Sequence, residues 1–199
     1  MVDLNSESIS RFWDWFKTVS ADLLMNPNDA YFVNLLDKHV GELGGFDWEI
    51  GPWEENILFF AISPNLNIAQ LEFTRKIITM APDCPGWKFL PSKPPKDWAG
   101  TWEMENETGK NVIVDASDWK YILYRFDDGT LDIDINISDF KGNSAIRDIA
   151  VDIALTGYLG EETFMNLIQE INIVDRLEEV YADKATSLKN IRKHLERIK

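Results

Sequence analysis

The sequence predicts an α+β fold, mostly antiparallel sheet with helices packed on one face, with room for two similar α+β lobes. Three observations carry this reading. Residues 46–50 and 131–137 alternate apolar and polar side chains with a period of two. Residues 9–23 and 32–43 repeat apolar side chains at helical spacings of three and four. The strands are joined by hairpin signals and do not alternate strictly with helices, which separates α+β from doubly wound α/β.

The elements follow in order. Ser6 or Ser8 caps a first helix to about Leu24, whose core stripe is Ile9, Phe12, Trp13, Phe16, Val19 and Leu23. Trp15 lies roughly 200° around the helix from Trp13 and falls off that stripe. Asn26-Pro27-Asn28 ends the helix, and a second runs from about Asp29 to Leu43. Phe46, Trp48 and Ile50 mark a strand that Gly51-Pro52 is expected to break, and the apolar run from Ile57 to Ile62 suits a central strand. A third helix covers about Ile68 to Met80. Trp87 to Pro95 alternates and then turns proline-rich, as an edge strand or extended arm does, because proline cannot donate to a ladder. Lys96 to Gly109 is the best candidate linker, with Trp98 and Trp102 packed down. This divides the chain into an N-terminal half, 1–98, and a C-terminal half, 99–199, expected to form one compact domain.

In the second half, 111–115 and 119–126 read as strands, and Asp128-Gly129 reads as a two-residue hairpin loop into the strand 131–137. That register places Arg125 opposite Asp132 and Leu123 opposite Asp134. A helix follows from about Ala145 to Leu159, then a segment (161–168) that suits helix or strand, a short strand at 171–174, and a last helix from about Asp175 or Thr186. Leu177, Tyr181, Lys184, Leu188, Ile191, Leu195 and Ile198 form a heptad-like seam on it. The seam suits an amphipathic helix docked on its own domain, or a homodimer contact.

Three stretches carry a resemblance: Trp48-Glu49-Ile50-Gly51-Pro52, Ile62-Ser63-Pro64, and Ala81-Pro82 followed by Gly86-Trp87-Lys88-Phe89-Leu90-Pro91-Ser92-Lys93-Pro94-Pro95 and Trp98. With the aromatic first helix, residues 10–98 resemble a group of bacterial α+β proteins of uncharacterised function. The resemblance implies a bacterial origin and an α+β fold, and it transfers no catalytic residue.

Composition narrows the function classes. The 199 residues carry a formal charge of −14, which argues against nucleic-acid or anionic-membrane partners. No apolar run approaches the ~20 residues of a membrane span, and residues 1–10 lack the pattern of a secretory signal. The single cysteine, Cys84, excludes an intrachain disulfide. These features make the cytoplasm the simplest compartment. The charge is uneven: residues 99–183 hold 19 acidic and 6 basic side chains, and residues 184–199 hold 1 and 6.

Chemistry-bearing motifs are sparse. There is no nucleophile elbow, metal-binding Cys/His spacing or phosphate loop. His39 lies at the edge of the second helix's stripe, and His194 sits in the basic tail. The expected hairpin register puts Trp119, Tyr121 and Arg125 on one face with Asp132 and Asp134, an aromatic and acidic platform. Asp132 and Asp134, about 6–7 Å apart along the strand, are metal candidates, for Ca²⁺ or Mg²⁺; the plain alternative is a solvated face on which Arg125 pairs with Asp132. Asp148 and Asp152 share a helix face one turn apart, a second carboxylate pair able to serve metal or acid–base work. Eight tryptophans is a high count. Trp13, Trp48 and Trp87 suit the core, whereas Trp15, Trp53, Trp98, Trp102 and Trp119 are less clearly buried.

Two functions follow as expectations. The first is a non-enzymatic protein-binding module with no cofactor, whose acidic, tryptophan-rich surface (Trp119, Tyr121, Arg125, Asp132, Asp134, Trp15, Trp53) meets a basic partner, as toxin-neutralising immunity proteins do. The second is a divalent-cation-dependent enzyme or small-ligand binder that uses the carboxylates of the 119–138 face.

Overall fold

A computed structural model describes residues 6–137, 140, 142–178 and 183–198. The chain divides into two compact units, residues 1–93 and 94–199. The described elements are helices and three mostly antiparallel sheets, an α+β fold.

The first unit opens with α1 (Ser6–Met25) and α2 (Ala30–Leu43). Asp29 caps α2 by accepting the Tyr31 N–H, as short polar side chains do at this position. A three-stranded sheet follows in the order β1 (Asp47–Glu54), β2 (Ile57–Ser63), β3 (Trp87–Leu90), with α3 (Ile68–Thr79) between β2 and β3. β1 and β2 are antiparallel, and β2 and β3 are parallel. β2 is central and β3 is an edge. β1 runs through Gly51-Pro52 to Glu54 with only a local irregularity at Pro52. The expected break is absent because β1 is an edge strand, where a residue without an N–H is tolerated. The core joins Ile9, Phe12, Trp13 and Phe16 of α1, Leu36 and Val40 of α2, Phe60 and Ile62 of β2, and Ile77 of α3.

The second unit begins with an antiparallel ribbon, β4 (Thr101–Glu105) and β5 (Asn111–Asp115). β4 lies inside the segment expected to be a linker. Its alternation of exposed and half-buried residues rests on two large side chains, Trp102 and Met104. A four-stranded sheet then takes the order β8 (Ile168–Val174), β7 (Leu131–Asn136), β6 (Lys120–Arg125), β9 (Thr186–Ser187). α4 (Ser144–Leu159), capped by Asn143, and α5 (Glu161–Leu167) connect β7 to β8, which runs parallel to β7. Both units therefore contain a hairpin, a helical crossover and a parallel third strand.

The last helix is shorter than the seam suggests. α6 spans Ile191–Ile198, after a 3₁₀ turn at Leu188–Asn190. Residues 186–188 give their backbone hydrogen bonds to β6 and to the Trp119 carbonyl instead of to a helix. Leu177 lies in a non-helical stretch after β8, and Tyr181 lies outside the described residues. Ile191 and Leu195 of α6 are buried.

Candidate functional site

The 120–136 hairpin departs from the expected register by one residue, and this rearranges the predicted platform. Arg125 pairs with Leu131, Tyr124 with Asp132, and Ile122 with Asp134. The loop holds three residues, Asp127-Asp128-Gly129, closed by the Phe126 N–H on the Thr130 carbonyl. Gly129 takes φ +88°, the left-handed position such loops require, and Asp128 Oδ1 accepts both the Thr130 N–H and its hydroxyl. A slip of one residue moves every side chain to the other face. Tyr121 and Arg125 therefore share a face with Leu131, Ile133 and Ile135, not with the aspartates. Tyr121 is fully buried, its hydroxyl 2.8 Å from His194 Nδ1 of α6. Burial pushes the Tyr121 hydroxyl up to about 12. Arg125 Nη1 donates to the Ile198 carbonyl at the end of α6. It borders a cavity of about 250 Å³ with Gly129, Leu131, Leu167, Leu195 and Ile198. Trp119 precedes β6 and is buried.

The acidic face carries a different set of neighbours. Asp132 and Asp134 share it with Lys120, Ile122 and Tyr124 of β6 and, through the parallel pairing, with Glu170 and Asn172 of β8. Asp134 is engaged on both oxygens, by the Tyr124 hydroxyl at 2.8 Å and by Asn172 Nδ2 at 3.1 Å. Among the described residues no group of three or more His, Cys, Asp or Glu side chains stands where it could hold a metal ion. Among the described residues, Asp132 and Asp134 thus gain no third ligand of these types. On α4, burial and then the Asp148 charge raise the Asp152 carboxyl above the usual carboxylate range.

The remaining candidates lie in the first unit. Trp15 is half-buried and stacks on His39, ring centroids 4.0 Å apart, beside a cavity of about 190 Å³ lined by Arg11, His39 and Glu42 among others. Trp53, at the end of β1, is 42% exposed.

A second constellation was not expected as a unit. Tyr158 of α4, Trp98, Trp102 of β4, Trp119 and Phe140 form a continuous chain of rings, with successive centroids 5.5–6.3 Å apart. Two glycines admit it. A Cβ on Gly157 would stand 2.2 Å from Trp98 Cζ2, and one on Gly100 would stand 2.1 Å from the Tyr158 hydroxyl. Gly100 also holds φ +81°. The indole nitrogens of Trp98, Trp102 and Trp119 and the hydroxyl of Tyr158 are buried and have no hydrogen-bond partner among the described residues. Each such orphan costs about 1–3 kcal/mol. The spacing of Trp98 and Trp102, four residues apart around Gly100, was visible in the sequence; the glycine on α4 that receives Trp98 was not.

No protein-family model, no curated protein and no solved structure matches the chain. No helix among the described residues is long and apolar enough to cross a membrane.

Proposed function

We propose that this protein is a non-enzymatic binding module of the cytoplasm that engages a basic protein partner through an acidic surface, in the manner of an immunity protein. The outward face of the β4–β5 ribbon is the observation that carries the reading. Ile113 is 70% exposed there and pairs across the ribbon with Glu103. Glu105 and Asp115 occupy exposed positions of the same alternation. An apolar centre with a charged rim is the anatomy of a binding patch. It lies in the part of the chain that holds 19 acidic and 6 basic side chains between residues 99 and 183. On the larger sheet Asp132 and Glu170 are paired neighbours, and the first unit separately exposes Trp53, an aromatic side chain of the kind that anchors partners.

The test is co-purification from the native cell at about 0.05 M and about 0.5 M salt, because screening shortens with ionic strength. The wild-type chain is expected to retain its partner at low salt and release it at high salt. The Glu103→Lys, Glu105→Lys double variant is expected to lose it at both. A complex indifferent to salt and to charge reversal contradicts the reading. Stabilisation by Ca²⁺ or Mg²⁺ that disappears in the Asp132→Asn, Asp134→Asn variant replaces it with a cation-dependent enzyme or ligand binder.

A further inference from the structure

Among the described residues of the second unit, five buried side-chain donors lack a partner; one is Arg147 Nε on α4, and the other four lie together. They belong to Trp98, Trp102, Trp119 and Tyr158, and all four sit in one chain of touching rings. Trp119 is 2% exposed and Tyr158 is 6% exposed. The first unit shows that this fold does satisfy structural tryptophans. Trp13 Nε1 donates to the Ile77 carbonyl at 2.9 Å, Trp87 Nε1 to the Ser20 carbonyl at 3.0 Å, and Trp48 Nε1 to Asp37 Oδ1 at 2.8 Å. Buried polar groups in native proteins nearly always find a partner, so a cluster of four in one place points to an acceptor that the described residues do not supply.

We propose that Trp98, Trp102, Trp119 and Tyr158 hold a neutral guest whose hydroxyl or water oxygens accept these four hydrogen bonds. An indole N–H only donates, so the guest must supply acceptors. Neutrality follows from the surroundings. Burial, and after it the Asp115 charge, hold the Tyr158 hydroxyl in its neutral, donating form, an environment that opposes an anion. Among the described residues, the Lys96 ammonium lies over the face of Trp98, 5.7 Å from the ring centroid, and not at the donor atoms. Aromatic rings that carry fixed donors suit a small molecule with apolar faces and oxygen substituents, such as a sugar or polyol. Ordered water offers the same oxygen chemistry. The donors include Trp102 on the half-buried side of the ribbon and none of the exposed Glu103, Glu105 or Ile113, so this proposal is tested apart from the acidic face.

Tyr158→Phe removes one oxygen and keeps the ring, so it separates a satisfied hydroxyl from an orphaned one. Trp119→Phe is the second variant, and Tyr31→Phe, at an exposed tyrosine, is the control. Thermal unfolding is recorded in buffer alone, with millimolar glucose and with millimolar glycerol, and native mass spectrometry reads any retained mass. If the donors are engaged, Tyr158→Phe lowers the midpoint by about 2–4 °C, and Tyr31→Phe leaves it unchanged. A glucose or glycerol shift present in the wild type and lost in Tyr158→Phe identifies a polyol guest. The same loss in buffer with no sugar shift and no retained mass identifies water. A Tyr158→Phe or Trp119→Phe midpoint equal to or above wild type, with no sugar shift and no retained mass in the wild-type chain, overturns the proposal, because removing an orphan relieves its cost.

Discussion

The two units are rich in tryptophan in different ways. In the first, Trp13 and Trp87 are buried, Trp48 is half-buried, and each indole N–H reaches an acceptor within its own unit. In the second, Trp98, Trp102 and Trp119 stack and cross one another, and their nitrogens reach none among the described residues. Both units are built on a hairpin, a helical crossover and a parallel strand, so the difference is not one of architecture. Ring contacts alone would make the two clusters look alike. Hydrogen-bond accounting separates tryptophans that reach an acceptor among the described residues from tryptophans that do not.

Mutations can break this contrast at several scales. The largest expected effect is Trp13→Ala, which empties a buried site touching Phe16, Phe60 and Phe89; denaturant unfolding should show a loss of about 3–5 kcal/mol. Next is Gly157→Ala, which forces Trp98 off α4 and is expected to cost about 1–3 kcal/mol by the same measurement. A value near zero would mean that the ring chain is loosely held. Asp152→Asn should act in the opposite sense. The folded-state carboxyl is raised, so the wild-type protein loses stability as pH rises through that value. The amide should therefore raise the midpoint at about pH 7, and the gain should vanish below the unfolded value of about 3.9. The smallest effect on stability is expected for Trp53→Ala, within about 0.5 kcal/mol, while a partner pull-down should weaken.

Much of the fold was legible in the sequence, and the site much less so. The stripe of α1 and the alternation of β7 are local patterns, and they appear as read, with Ile9, Phe12 and Phe16 buried in one and Ile133 and Ile135 in the other. The hairpin register was not legible from Asp128-Gly129 alone, because that dipeptide serves a two-residue loop and a three-residue loop equally well. The three-residue loop that forms, with Asp128 Oδ1 accepting from Thr130, exchanges the neighbours of Asp132 and Asp134. The β4 strand was hidden because its exposed residues, Glu103 and Glu105, alternate with only two large side chains in a stretch ending in Asn106 to Gly109. The long seam failed for a non-local reason: residues 186–188 find hydrogen bonds on β6 that no helical spacing reveals. The chain of rings joins Trp98, Trp102, Trp119 and Tyr158, which only tertiary packing brings together.

The indole N–H resonances of the uniformly ¹⁵N-labelled chain, assigned by single Trp→Phe variants, test the central contrast most directly. The account predicts that Trp98, Trp102 and Trp119 show hydrogen-bonded, exchange-protected signals like those of Trp13, Trp48 and Trp87, because a guest supplies acceptors that the described residues of the second unit do not. Protected signals at the unbonded position for these three, beside bonded ones for the other set, would contradict it and leave the second cluster an unsatisfied core.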